Sequence, residues 1–147
     1  MAITQAICTV FKQDLMSPGG NLAAQTLKCA LYDNTASLAA NTTVYDTANE
    51  VSSSGTNYTA GGNALTNTGV AKSTVTSYTD FSDTSWTSAS FTARGCLIYN
   101  SSSISGLTSN ASVATIDFGG DKTVSSGTFT IQFPTNDSSD AIIRITS

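Results

Sequence analysis

Apolar residues along this chain recur mostly every second position, in short runs separated by clusters of Gly, Asn, Ser, Asp and Pro, the pattern of half-buried strands joined by turns. Thr26–Tyr32 alternates well, with Leu27, Cys29 and Leu31 on one face and Lys28 pointing outward. Phe91–Tyr99 is apolar on most of both faces, which predicts a strand lying between two packed layers. Further strands are predicted at Val70–Tyr78, at Ala111–Phe118 (stopped by Gly119-Gly120-Asp121-Lys122), at Thr128–Phe133 (closed by Pro134) and at Ala141–Thr146. Shorter ones are predicted around Thr43–Tyr45 and Ala64–Thr66, the second entered through a bend at Tyr58–Gly62. Phe81 and Trp86 flank a polar turn at Ser82–Ser85, and Ser101–Asn110 reads as a loop. Helical spacing occurs once, over Thr9–Met16, where Phe11 and Leu15 fall four apart. Thr9 is placed to cap this helix, and Ser17-Pro18-Gly19-Gly20 to end it. Seven or eight strands and one short N-terminal helix predict an all-β fold, a single β-sandwich domain over residues 1–147, with the jelly roll as one form it can take. Its open edges are expected to be covered by loops or by partner subunits.

Composition sharpens this picture. Only 11% of the 147 residues are charged, and Ser with Thr makes up roughly a third of the chain. Thr suits a pleated, half-exposed surface, whereas the good surface-helix formers are scarce and Glu50 is the single glutamate. A surface of hydroxyls loses little side-chain entropy when it is covered by another protein. The net charge is −4, and the six basic residues are scattered, so neither nucleic acid nor an anionic membrane is an expected partner. No run approaches the length of a membrane-spanning helix, and the first residues lack the basic and apolar regions of a secretion signal.

Candidate chemistry is thin. The chain has no histidine, which removes the commonest general base and metal ligand. Cys8, Cys29 and Cys96 have no metal-binding or redox spacing, and they are expected to be reduced, small apolar side chains. Three carboxylate pairs, Asp80/Asp83, Asp117/Asp121 and Asp137/Asp140, invite comparison with glycosidase or calcium sites. Each lies in a turn-like cluster where Asp more often bonds to nearby backbone. No enzymatic activity, cofactor or metal is therefore expected. Trp86 is expected in the core in preference to an interface.

Four stretches, Phe11–Met16, Leu27–Tyr32, Asn49-Glu50-Val51 through Tyr58–Gly62, and Thr92–Asn100, together with a terminal Ala-Ile-Ile-Arg-Ile strand, resemble small structural proteins of tailed bacteriophages. The resemblance spans nearly the whole chain, and its motifs carry no chemistry. It implies a virion component assembled in the host cytoplasm. The role it implies is head decoration (a cement protein on the major capsid protein), with tail, neck, baseplate and fibre components as rivals. It further implies a homo-oligomer, a trimer being favoured, without nucleic acid or membrane. Residues 1–8 are then either an arm that adds a strand to a neighbour, anchored by Ile3 and Ile7, or the first strand of the chain's own sandwich. Ile3, Ile7, Phe11 and Tyr58 are the candidate subunit-interface residues.

Overall fold

The alternating segments pair into two antiparallel sheets in a computed structural model that describes residues 2–147. The eight strands are β1 (Ala6–Ile7), β2 (Leu27–Tyr32), β3 (Asn63–Ala64), β4 (Asn67–Ser73), β5 (Thr76–Phe81), β6 (Thr84–Asn100), β7 (Ser112–Ile131) and β8 (Ile143–Thr146). The larger sheet has the order β1-β7-β6-β2-β3 and the smaller β4-β5-β8. The fold is the all-β, sandwich-like one expected, in sheets of five and three strands; the four-and-four arrangement of a jelly roll is not the one adopted.

β2 and β6 occupy the middle of the larger sheet, with Cys29 opposite Ile98, Ala30 opposite Leu97 and Leu31 opposite Cys96. Their alternation sends side chains to two separate cores. On one face Cys29, Leu31 and Cys96 pack with Val51, Tyr58, Trp86, Phe91 and Ile131, and Leu27 and Ile98 pack with Phe11, Phe81 and Ile143. On the other, Ala30, Tyr32, Leu97 and Tyr99 pack with Ile3, Ala36 and Leu38. This double coverage is why the segment around Phe91–Tyr99 tolerates no polar face.

One predicted break is absent. The strand expected at Ala111–Phe118 does not stop at Gly119-Gly120; it runs on to Ile131 as part of a single strand. The extra residues form a bulge instead: Ala93 pairs with Lys122 and Gly95 with Asp117, so residues 118–121 have no counterparts on β6. Gly119 takes a positive φ of 74°, and Arg94 pins the bulge, its Nε 3.3 Å from Asp117 and its Nη1 3.5 Å from Asp121. Further register shifts lie between Trp86 and Phe91. They let the β6–β7 ribbon bend, so that Trp86, Phe91 and Phe129 close over the middle of the sheet.

Conversely, the strand expected at Val70–Tyr78 is a hairpin, β4 and β5, turning at Thr74-Val75 between the paired Ser73 and Thr76. Two β-branched residues gave no turn signal, yet Thr74 adopts a positive φ of 51°. The helix α1 (Thr9–Leu15) begins as expected, but its N-cap is Cys8 and not Thr9. The Thr9 amide donates instead to the carbonyl of Ala40, 2.8 Å away.

Residues 33–62 wrap the sheet, with Ala36 and Leu38 on the second face and Val51 and Tyr58 on the first, and are fixed by hydrogen bonds in place of a strand ladder. Glu50 accepts from the Tyr45 hydroxyl (2.7 Å), the Tyr58 hydroxyl (2.6 Å) and the Gly61 amide (2.7 Å). The Tyr58 oxygen in turn accepts from the Leu31 amide (2.9 Å), and Tyr99 donates to the Gly61 carbonyl (2.9 Å) while its ring stacks on Tyr45. Gly62, at φ 72°, lies against the Cys29 carbonyl, where any Cβ would overlap it.

Candidate functional site

Two depressions meet along one seam, between α1 and the small sheet. One, of about 670 Å³, is lined by Ile7, Phe11, Lys12, Leu15 and Met16 on one side and by Ile143–Thr146 on the other. A second, of about 280 Å³, shares Phe11, Leu15, Ile143 and Ile145 and extends to Leu22, Val70 and Tyr78. Three of the most exposed large apolar side chains in the chain border these two depressions: Met16 at 84%, Val70 at 57% and Ile145 at 56% exposure. Exposed apolar side chains gathered along one seam make it the candidate contact surface.

Local chemistry builds each wall. The i, i+4 spacing of Phe11 and Leu15 puts both on the inner side of α1, while Met16, the C-cap residue, projects beyond it. After Ser17–Gly20 the chain turns back, and Asn21 caps a short 3₁₀ turn (Leu22–Ala24) by accepting from the Ala23 amide, which seats Leu22 beneath the helix. The opposite wall depends on Asp80 at the end of β5. It is fully buried, and it accepts from the Phe81 amide (2.8 Å) and from the Ile142 amide (3.0 Å), the residue before β8. Burial raises the Asp80 carboxyl above the usual carboxylate range, the two amide donors pull it back, and nearby Asp83 raises it again. β8 pairs with β5 through Thr79–Ile143, Tyr78–Arg144, Ser77–Ile145 and Thr76–Thr146. No strand lies along its other edge among the described residues.

The four residues singled out from the sequence divide between core and groove. Ile3, at 6% exposure, and Tyr58, at 3%, are sealed in the domain's own two cores, Tyr58 against Trp86 and Phe91. Ile7 lines the groove, and Phe11, a core residue at 4% exposure, forms its floor. The first residues fold onto their own sheet: β1 pairs with β7, Ile3 bridges to Leu38, and the Thr115 hydroxyl donates to the Thr4 carbonyl (2.6 Å). Of the two arrangements open for residues 1–8, this is the intramolecular one; Met1 lies outside the described residues.

Side chains with reactive potential have structural partners. Asp83 accepts from the Phe133 amide, Asp117 from the Gly119 amide, Asp121 from Asn34, and Asp137 from the Ser139 and Asp140 amides. The three thiols are free and buried. Burial raises Cys8 to about 11, and Cys29 is raised by its hydrogen bond with Cys96 and by burial. Tyr99 is pushed up to about 12, first by burial and then by the charge of Glu50. Trp86 is in the core, with its indole N–H lacking a hydrogen-bond partner among the described residues. No cluster of three or more metal-ligating residues occurs among the described residues, and no helix is long and apolar enough to cross a membrane.

Lys12, Met16, Val70, Arg144 and Ile145 were not foreseen as groove residues. The one available signal was Met16 and Ile145, apolar residues at the two ends of amphipathic elements, and nothing local places those ends side by side. No family model, curated protein or solved structure matches the chain.

Proposed function

We propose that this chain is a non-enzymatic structural component of a tailed-bacteriophage particle, a decoration protein that fastens to the outer head shell by binding the major capsid protein. The observation that carries this reading is the open apolar groove between α1 and β8 on an otherwise hydroxyl-rich, charge-poor surface. Such a surface suits burial against another protein. The stretches that carry the phage resemblance support it as well, because here each has architectural work. Phe11–Met16 forms a groove wall, Leu27–Tyr32 and Thr92–Asn100 form the sheet centre, and Glu50 with Tyr58–Gly62 forms the lock on the covering loop. Modest contacts repeated over a symmetric shell, made by a homo-oligomer such as a trimer, would give strong attachment by multivalency.

Copy number per particle tests this, measured by quantitative mass spectrometry of purified virions against the major capsid protein. A ratio of about one, or about one third for trimers on selected axes, is the expected result for a shell-wide role. A count of roughly three to eighteen would move the protein to the neck, tail or baseplate. Absence from the virion would end the particle reading altogether.

A further inference from the structure

We propose that the occupant of the α1–β8 groove is an extended segment of a partner protein, apolar residues alternating with carboxylates, which adds to the small sheet along the free edge of β8. The inference deepens the preceding one and rests on its premise that the chain assembles on another protein.

Several strand edges are open in this fold, and those of β7, β4 and β8 are not equivalent. Beyond its two-residue pairing with β1, β7 has an open edge, but the bulge at 118–121, the shift near Ser126 and the charges of Asp117, Asp121 and Lys122 break it up. The edge of β4 carries a register shift between Asn67 and Val70, with Gly69 at φ 115°, and Lys72. These are the usual devices that keep an edge from pairing. β8 has neither bulge nor proline. Its pairing with β5 is in register over all four residues, so its outer edge is a regular template. All four residues of β8 line the groove, as they would if the opening ran along the strand's backbone.

Side-chain chemistry specifies the occupant. Ile143 and Ile145 alternate towards the groove floor with Phe11 and Leu15, so every second residue of an added strand meets an apolar surface. Arg144 lies on the other face of β8, beside the intervening positions of such a strand, and Lys12 stands on the helix wall. Two of the six basic residues of a chain of net charge −4 thus flank this groove, and neither depression is lined by a carboxylate. Opposite charge on neighbouring strands stabilises pairing, and like charge opposes it. A second copy is the poorer occupant for that reason: β8 carries Arg144 and no carboxylate, so a second β8 brings another positive charge to the groove and no negative one.

The test uses the full chain and three capped nine-residue peptides: alternating Val and Asp, alternating Val and Lys, and the first interrupted by a central Pro. Fluorescence anisotropy is expected to show the acidic peptide binding at least about tenfold more tightly than either of the others. Hydrogen exchange is expected to slow at the amides of Ile143–Thr146, and the paired variant K12E/R144E to reverse the preference between Asp and Lys peptides. Unchanged protection of the β6 amides shows that the variant is folded, and R144E alone serves as the milder form. Equal binding of acidic and basic peptides, binding without protection of β8, or β8 protection that grows with protein concentration alone (self-pairing) would each overturn the proposal. Binding of the same proteins to purified heads separates the two inferences. If K12E/R144E still saturates the shell, the decoration reading stands and the groove is not its contact. If the wild type ignores heads but takes the acidic peptide, the groove proposal stands and the particle reading fails.

Discussion

Glu50 shows how much one side chain can organise in a chain with so few charges. Its two oxygens receive three donors from three separate points of the covering loop, the hydroxyls of Tyr45 and Tyr58 and the amide of Gly61. Burial, together with the bond to Glu50, drives both phenols well above their ordinary range, so they remain protonated donors. Removing the acceptor leaves these donors without it in a largely buried cluster, which costs more than the bonds themselves contribute. E50A is therefore expected to lose about 3 kcal/mol of stability, whereas E50Q, which keeps one acceptor oxygen and lets the Tyr45 hydroxyl accept, should lose about 1 kcal/mol. Urea denaturation followed by Trp86 fluorescence decides it, and equal losses would show that the cluster is held by packing alone. The sequence marked Glu50 as the sole glutamate and as part of a stretch resembling phage structural proteins, and Tyr58 as an interface candidate. Nothing local reveals that residues 45, 50, 58, 61 and 99 converge, because their partnership is made by the path of the loop over the sheet.

Elements were legible where alternation was strict and misread where sterics were overridden. β2, the centre of β6 and the C-terminal strand follow directly from period-two apolar patterns. The continuity of β7 through Gly119-Gly120 does not, because a bulge and a turn use the same residues, and only the partner strand distinguishes them. The β4–β5 hairpin was equally hidden, Thr74-Val75 being strand formers used as a turn. The small sheet that results is joined at one end by Asp80, and its stability should carry the signature of that buried carboxyl. The folded-state value of Asp80 is raised above its ordinary 3.8, so the folded protein holds this proton more tightly than the unfolded chain does. The favourable contribution is fully present below the unfolded value and is lost as pH rises through the folded one. D80N carries no such charge, and it gives up the acceptor for the Ile142 amide at every pH. Wild type should thus lose stability relative to D80N as pH rises above about 4. Thermal unfolding of both proteins across that window measures the difference; a difference that widens in favour of wild type as pH rises would mean that the two amide donors outweigh burial.

For the whole molecule, the two-sided burial of β2 and β6 is the organising fact, and it makes the first residues indispensable. Apolar character on most of both faces of Phe91–Tyr99 announced a middle layer, but not what covers it: a bent ribbon and the small sheet on one side, part of a polar loop and an N-terminal segment on the other. Ile3 completes the second core. It packs where Gly95 leaves space, its Cδ1 2.8 Å from the position a Cβ would take there, and its neighbours trade backbone bonds with Leu38, the Thr4 amide donating to the Leu38 carbonyl and the Leu38 amide to the Ala2 carbonyl. An arm reserved for a neighbouring subunit would be dispensable for the fold of its own domain, and this one is not placed so. I3A should cost about 2–4 kcal/mol by emptying a closed site. Deleting residues 1–8 also removes β1, the Thr115–Thr4 bond and the Cys8 cap, and should lower Tm by about 10 °C or more at this chain length. Calorimetry of the isolated protein gives the answer without any partner. Unchanged melting of both variants, with attachment to heads lost, would return the segment to the role of an intermolecular clamp. A large loss of Tm instead makes it the first strand of its own sandwich.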